Sequence, residues 1–529
     1  MDDSLARLVR CNGLPTDAQA RQIRHILTSE RQKMHSNSVP PLYDLRRAQL
    51  LSLLAGTLSC IRRFPPEILS IIFIFCRDGD ISSKDEVYTV FHPNRAPMLL
   101  TRICSRWRQI ALDTPRLWDN VHLHTTLFAK GGVDVFVTEI FRRSHSLPLS
   151  ITIDTPLTII NGATWMTLDG VNDYNGRWLD LLWTDRNVRL RLKSITLDLF
   201  EEDHECHIFP LPETEFPALA NLALTLEGNS EPDLVQILDA FKHAPLLRSF
   251  ELVVQFCSDV IIKSTFPWHQ LTTLKMSLAL TSKAVHTILV QCTSLESTKF
   301  DNIHPWDSDR SPPPPAPALL SQLRDFDFEW RDGSQTGMVL GGLSLPQLRS
   351  LAITSLSRSD WEDLQEPLTP VLLDLHARSH FALEHLALSG QLLTPAELLS
   401  VLCIVPTLRT LNVRQCDCIS DELFRMLTAN DSLTTLPQLT KLEIHPITTT
   451  LDGNVVVTMA ESLFKKANAP ASSGDPTMAM FPSLIQLCLY RGDELFGHAS
   501  WERFAEDVEH RIAVLCETGF LVDRYHTLE

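Results

Sequence analysis

The chain is short of the features that announce an enzyme or a membrane protein. Its 529 residues hold 19 glycines and 7% aromatic side chains. The longest apolar run, Ile68 to Cys76, falls well short of the roughly 18–20 residues that a membrane-spanning helix needs. No Gly-x-Ser-x-Gly elbow, phosphate-cradling glycine loop, His-Glu-x-x-His or paired Cys-x-x-Cys occurs, so the common hydrolase, nucleotide, metalloprotease and zinc-ribbon signatures are missing. Positive charge is also in deficit. A formal net charge of −17 opposes a phosphate backbone, because nucleic-acid affinity depends on Lys and Arg displacing condensed counterions. The start, Met1-Asp2-Asp3, lacks the basic and apolar stretches of a signal peptide. Twelve cysteines are scattered singly, several in apolar-periodic settings (Cys257, Cys292, Cys403, Cys488) where the thiol acts as a small hydrophobe. That usage points to a reducing compartment, and a cytoplasmic or nuclear location is expected.

With 44% hydrophobic and 21% charged residues the chain has the material for folded cores, and its length calls for several domains or a small domain followed by an elongated array. Residues 1–58 carry two helical patterns, Thr16 to Met34 and Leu42 to Leu58, separated by Pro40-Pro41. The second has leucines at 42, 45, 50, 53, 54 and 58 and is expected to pack on the segment that follows.

Residues 59–123 read differently. Pro65-Pro66-Glu67 marks a helix start, since proline is tolerated in the first turn and an acid there suits the helix dipole. Ile68, Leu69, Ile72 and Phe73 follow as an apolar stripe; after a polar loop from Arg77 to Arg95, Leu99, Leu100, Ile103, Trp107, Ile110 and Ala111 repeat the helical spacing until Pro115. This segment resembles the F-box in the form expanded in fungi. The matches are Pro65-Pro66-Glu67-Ile68-Leu69, Cys104-Ser105-Arg106-Trp107-Arg108 and Thr114-Pro115-Arg116-Leu117-Trp118; the long intervening loop departs from the compact motif. The resemblance implies a Skp-type adaptor docked on Pro65, Pro66, Ile68, Leu69, Ile72, Phe73, Leu99, Cys104 and Trp107. Arg102, Arg106, Arg108 and Arg116 make the second helix basic, which suits an acidic partner.

After a connecting region, 124–190, the stretch 191–495 is repetitive. An L-x-x-L-x-L-like triplet recurs at Leu192/Ile195/Leu197, Leu219/Leu222/Leu224, Leu247/Phe250/Leu252, Leu271/Leu274/Met276, Leu323/Phe326/Phe328, Leu348/Leu351/Ile353, Leu383/Leu386/Leu388, Leu408/Leu411/Val413, Leu439/Leu442/Ile444 and Leu484/Leu487/Leu489, with a weaker copy at Leu295/Thr298/Phe300. Most intervals are 24–31 residues, the leucine-rich-repeat range, in which each unit is a strand and a returning helix. Helical returns are predicted at Asp233–Ala244, Ser282–Gln291, Pro395–Val405 and Ser420–Ala429. The Asn or Cys that usually follows the strand is mostly absent. A β-propeller, with four strands per repeat and no helix, fits poorly. The expected fold class is therefore α/β: a helical F-box, then a leucine-rich-repeat solenoid with a curved parallel sheet inside and helices outside, closed by a capping helix in 496–529. Ser311–Pro317 and Ala469–Pro476 are expected to protrude as loops.

Several chemical motifs have plainer explanations. Glu201-Glu202-Asp203-His204-Glu205-Cys206-His207 gathers metal-ligand types without the spacing of a zinc motif and reads as a solvated acidic loop. Cys416-Asp417-Cys418 reads as repeat packing, Arg491-Gly492-Asp493 as a strand-ending turn, and Asn430-Asp431-Ser432 as a sequon in a chain without a secretory signal. No metal site, cofactor or catalytic residue is assigned, and no nucleic acid or membrane is expected as a partner.

Strand alternation sends the residues between the buried triplet positions to the opposite face. There Asp325, Asp327 and Glu329 put three carboxylates on one strand, a candidate docking patch for a basic substrate segment, with an ordinary solvated strand face as the plain alternative. What the resemblance implies as a whole is a non-catalytic, substrate-recruiting subunit of a cullin-RING ubiquitin ligase. The alternative is a repeat scaffold working outside ubiquitin transfer.

Overall fold

A computed structural model of the full chain describes residues 4–5, 7–8, 14–35, 41–79, 92, 94–124, 133–154, 182–199, 209–211, 213–226, 233–257, 259–304, 317–331, 335–356, 367–429, 438–445, 452–467, 486–490, 506–517 and 521–525. Outside them lie the Glu201–His207 cluster, Asn430–Ser432, Ala469–Pro476, Leu484, Arg491–Asp493, all of Ser311–Pro317 but its last residue, and most of the Arg77–Arg95 loop. The chain divides into two compact units, Met1–Asp198 and Leu199–Glu529.

The first unit opens with the helix Asp17–His35. Its start is a capping box: the Gln19 backbone N–H donates to the Thr16 hydroxyl oxygen, and the Gln19 side-chain oxygen accepts in return from the Thr16 N–H at 2.9 Å. Ile23 from this helix, Leu54 from the helix Pro41–Thr57, and Leu5 and Leu8 form a small buried cluster, flanked by Ile26, Leu27 and Leu58. Leu54 and Leu58 of the second helix therefore pack on residues before them in the chain, whereas Leu53 is exposed.

Then come the helix Pro66–Gly79, the short helix Leu100–Ile103, and the helix Ser105–Leu112. The single helix expected across 99–111 is broken at Cys104, whose backbone is extended (φ −162°, ψ 167°) and whose Sγ accepts the Trp107 N–H as an N-cap. Strands β1 (Asn120–His124), β2 (Leu149–Asp154) and β3 (Leu192–Leu199) pair in parallel in this region, aligning Val121 with Ile151 and Ile195, and Leu123 with Ile153 and Leu197. Sheet formation thus begins at the end of the 59–123 segment and continues with β2 in the expected connecting region. The helix Val133–Arg143 crosses from β1 to β2, and the segment 155–181 lies outside the described residues.

In the second unit the strands are β4 (Asn221–Leu226), β5 (Ser249–Cys257), β6 (Thr273–Thr281), β7 (Ser297–His304), β8 (Ala318–Leu319), β9 (Asp325–Trp330), β10 (Leu343–Ser344), β11 (Ser350–Ser355), β12 (His385–Ser389), β13 (Thr410–Arg414), β14 (Lys441–His445), β15 (Gln486–Tyr490) and β16 (Leu521–Tyr525). All but β8 and β10, which pair with each other, form a parallel sheet in sequential order. The triplets explain it. Leu222, Phe250, Leu274, Thr298, Phe326, Leu351, Leu386, Leu411, Leu442 and Leu487 lie in one register row, and the third triplet residues make the row beside it. Burial alternates along most of the strands, as in Asp325–Trp330, where Phe326, Phe328 and Trp330 are buried and the acids between them are not; β14 departs from this, with Leu442, Glu443 and Ile444 all buried.

Backbone stitching reinforces this register. The Arg324 carbonyl accepts from both the Arg349 and Ser350 N–H, and the pattern repeats from Arg349 to Glu384 and His385, from Glu384 to Arg409 and Thr410, and from Arg409 to Thr440 and Lys441. Return helices occur where periodicity places them: Leu234–Asp239, Ser282–Gln291, Pro395–Cys403 and Asp421–Ala429. Pro395–Cys403 is held by a full capping box between Thr394 and Glu397. The expected capping helix, Glu506–Glu517, is followed by a further strand, β16, paired with β15. Arg511 ties that helix to Gly453–Ala467 through Glu461, at 2.9 Å, and Asn454.

Candidate interaction surfaces

The Pro66–Gly79 helix is apolar nearly all round, and the structure divides it into two stripes. Leu69 and Phe73, one turn apart, are fully buried, and the Phe73 ring packs on half-buried Trp107 with centroids 4.8 Å apart. These residues hold the two helices of the segment together. The neighbouring stripe points outward: Ile68 is 44% exposed, Ile71 49% and Phe75 71%, with Ile72 half-buried between them. Leu99 and Ile103 are also exposed, as are Pro65 and Pro66, while Cys104 is half-buried in its capping role. Of the residues assigned to adaptor docking, Ile68, Leu99, Pro65 and Pro66 are thus presented to solvent and Leu69 and Phe73 are not. Ile71, Phe75 and Ile103 complete the exposed set and were missed, because in a helix with apolar residues on both faces periodicity cannot say which face turns inward.

Three of the segment's arginines make internal hydrogen bonds: Arg108 Nε donates to the Thr101 carbonyl at 2.7 Å, and Arg106 and Arg77 reach farther along the chain. Arg106 reaches the carbonyls of Arg62 and Phe64, the latter at 2.6 Å, and Arg77 bonds Asp119 at 2.7 Å as well as the Arg116 carbonyl. Arg102, Arg108 and Arg116 remain exposed. The Thr114–Trp118 motif is structural: the Trp118 indole N–H donates to the Ala111 carbonyl at 2.9 Å, Thr114 Oγ1 donates to Ile110, and Arg143 lies over the Trp118 ring at 5.0 Å.

In the second unit, register sets the face opposite the buried rows. Lys299 on β7 aligns with Asp327 on β9 and Ala352 on β11; Ser297 aligns with Asp325 and Ser350. Asp325 is exposed, and Asp327 and Glu329 are half-buried. The cation on the adjoining strand, Lys299, pairs with Asp301 at 3.2 Å. Burial pushes the Asp327 carboxyl above the usual carboxylate range, Lys299 opposes the shift, and Asp301 adds to it. Glu329 is raised first by burial and then by Asp301, again against the pull of Lys299. For Lys299 burial disfavours the charge, but Asp301, Asp327 and Glu329 outweigh it and hold its ammonium above the ordinary value. The acids sequence reading singled out are thus together on one strand, crowded and partly dehydrated.

Farther along the same sheet, β14 carries another acid in a different setting. Buried Glu443 accepts from Asn412 Nδ2 at 2.7 Å, pairs with Lys441, and has the Arg414 guanidinium 3.7 Å away. His445 beside it is held down to about 4 by burial and by Arg414, so it is neutral at pH 7.

The remaining chemical groups are structural. Cys416 and Cys418 are buried; the Cys416 thiol donates to the Arg414 carbonyl at 3.2 Å, and Cys418 is raised by its hydrogen bond to Cys416 and by burial, the opposite of an activated thiol. Burial alone pushes the Cys292 thiol up to about 12. Among the described residues no three His, Cys, Asp or Glu side chains are grouped to hold a metal ion, and no helix is long and apolar enough to cross a membrane.

No protein-family model and no curated protein matches the chain. Among solved structures, a Bacteroides fragilis protein determined as a Northeast Structural Genomics Consortium target aligns with 74% of this chain and 69% of its own, at 11% identity and a TM-score of 0.23. A superposition that loose says nothing about activity.

Proposed function

We propose that this chain is a non-catalytic recruiting subunit of a cullin-RING ubiquitin ligase: an F-box-like segment at 59–123 binds a Skp-type adaptor, and a leucine-rich-repeat solenoid holds a protein substrate. The observation that carries this reading is the outward apolar stripe Ile68, Ile71 and Phe75, joined by exposed Leu99 and Ile103, on the segment that bears the F-box-like motif. Those side chains lie beside a core already closed by Leu69, Phe73 and Trp107, so they are available to a partner without unfolding the segment. Exposed Arg102, Arg108 and Arg116 favour an acidic one. The subunit's work would be proximity, raising the local concentration of substrate lysines near a ubiquitin-charged enzyme.

Co-purification with a Skp-type adaptor tests the reading. The unaltered chain should retain the adaptor, and Ile71→Glu with Phe75→Glu should lose it while circular dichroism and thermal unfolding stay unchanged, since both positions are solvent-facing. A folded double variant that binds the adaptor as well as the parent overturns it.

A further inference from the structure

The registered face of the second unit's sheet has an electrical polarity that follows from its rows. In the first row lie Ser297, Asp325, Ser350, His385, Thr410 and Lys441; in the second Lys299, Asp327, Ala352, Ala387, Asn412 and Glu443; in the third Glu329, Thr354, Ser389, Arg414 and His445. Strand β9, between β7 and β11, is therefore the acidic strand of this stretch. In register on the two strands directly beside it, β7 and β11, its Asp325, Asp327 and Glu329, with Asp301 nearby, meet one ammonium, Lys299, which is already paired with Asp301. The next two strands, β11 and β12, form a floor of small residues, Ala352, Thr354, Ala387 and Ser389, with no charge in the second or third row. Beyond them the face turns basic: Arg414 and Lys441 stand against Glu443, and the Arg414 side chain is still 47% exposed while pairing with it.

We infer that this face binds an extended protein segment lying across the strands, with a basic side chain over β9 and an acidic side chain over β13–β14. This rests on reading the second unit as the substrate-holding half of the chain, and it specifies the class of substrate. The span from β9 to β13 is three strand steps, roughly 14 Å at the usual inter-strand spacing. An extended chain covers that in about four residues, which sets the separation of the two charges. Small floor residues let the segment's backbone come close, and the oppositely charged strands fix its direction. A purely basic segment would satisfy β9 and meet repulsion at Arg414; a purely acidic or phosphorylated one would be repelled at β9.

Fluorescence anisotropy on the full chain at low ionic strength tests this with labelled synthetic peptides: one with two lysines and two glutamates separated by about four neutral residues, one of the same composition with charges interleaved, and one with lysines only. Binding of the separated-charge peptide about tenfold tighter than either other is expected. Asp325→Asn with Asp327→Asn and Glu329→Gln should bring it down to the interleaved level, and added salt should erase the difference. Equal affinity for the separated and interleaved peptides, no saturable binding of the separated one, or undiminished binding by the triple variant would overturn the inference. A lysine-only peptide bound as tightly as the separated one on the unaltered chain would overturn the basic side without recourse to an Arg414 variant that loosens Glu443. Adaptor retention measured on the same samples separates this from the proposed function. The triple variant should keep the adaptor, and Ile71→Glu with Phe75→Glu should keep the peptide. Loss of peptide selectivity with the adaptor retained defeats only the present inference; peptide selectivity in a chain that never retains the adaptor upholds it and defeats the ligase reading.

Discussion

Apolar residues meet different fates in the two units. In the second, Phe326 and Phe328 have neighbours in register on both sides, and each repeat covers the face that the previous one leaves open. In the first, the Pro66–Gly79 helix buries Leu69 and Phe73 but leaves Ile68, Ile71 and Phe75 in solvent. The contrast is one of supply. A parallel array provides a covering neighbour at each step, whereas a few short helices hide one stripe against each other and, among the described residues, leave the other uncovered. Surplus apolar surface in a small helical element is accordingly the place where a partner can act.

Substitution within each unit sharpens the contrast. The largest effect is expected at Phe328→Ala, which removes a fully buried ring stacked against Phe326 and Trp330 and should cost about 4 kcal/mol by denaturant unfolding of the second unit. Leu69→Ala should cost about 3 kcal/mol in the first unit, while Ile71→Ala, two residues away on the outward stripe, should stay within about 0.5 kcal/mol. Equal losses at 69 and 71 would break the division into an inner and an outer stripe.

Gly390→Ala comes next. Its φ is +65°, and a Cβ there would sit 2.0 Å from the Ser355 carbonyl oxygen, so β11 and β12 could not keep their approach. Destabilisation of about 2 kcal/mol is expected, read as faster amide exchange in β11 and β12 with the first unit's exchange unaltered.

The smallest effect has the opposite sign. Thr298 occupies the row filled by Leu274 and Phe326 on the neighbouring strands, and its buried Oγ1 has no hydrogen-bond partner. Thr298→Val should therefore stabilise the second unit by about 1 kcal/mol, seen as a raised thermal midpoint. An unchanged or lowered midpoint would mean that this row tolerates its one polar member for another reason.

Much of this architecture was legible. The second and third residues of the triplets from Leu219 to Leu439 fall into the two buried rows of the second unit, and Ser282–Gln291 forms the return helix that its spacing predicts. The acidic strand was legible too, since alternation alone sends Asp325, Asp327 and Glu329 to the face opposite Phe326 and Phe328. The exposed stripe was legible only by half. Of the residues assigned to adaptor docking, Ile68 and Leu99 face solvent and Leu69 and Phe73 are buried, while exposed Phe75 is not among them, because Ile68 through Phe75 is apolar at every position except Ser70 and periodicity does not separate the two faces. Strands β1, β2 and β16 escaped as well. The regular spacing that supports the other strands is missing around them.

The sequence by itself determined the period, and with it the parallel sequential sheet, because buried side chains every second residue in evenly spaced segments can be covered in register only by segments like themselves. Only the tertiary structure decided what surrounds each charge. Asp327 and Glu443 occupy the same register row and are both acids on strands. One is pushed up by burial among other carboxylates, and the other is enclosed by Asn412, Arg414 and Lys441. The physical reason is that a carboxylate's environment is supplied by adjoining strands some 25–45 residues away in the chain, a distance over which composition and periodicity carry no information about charge.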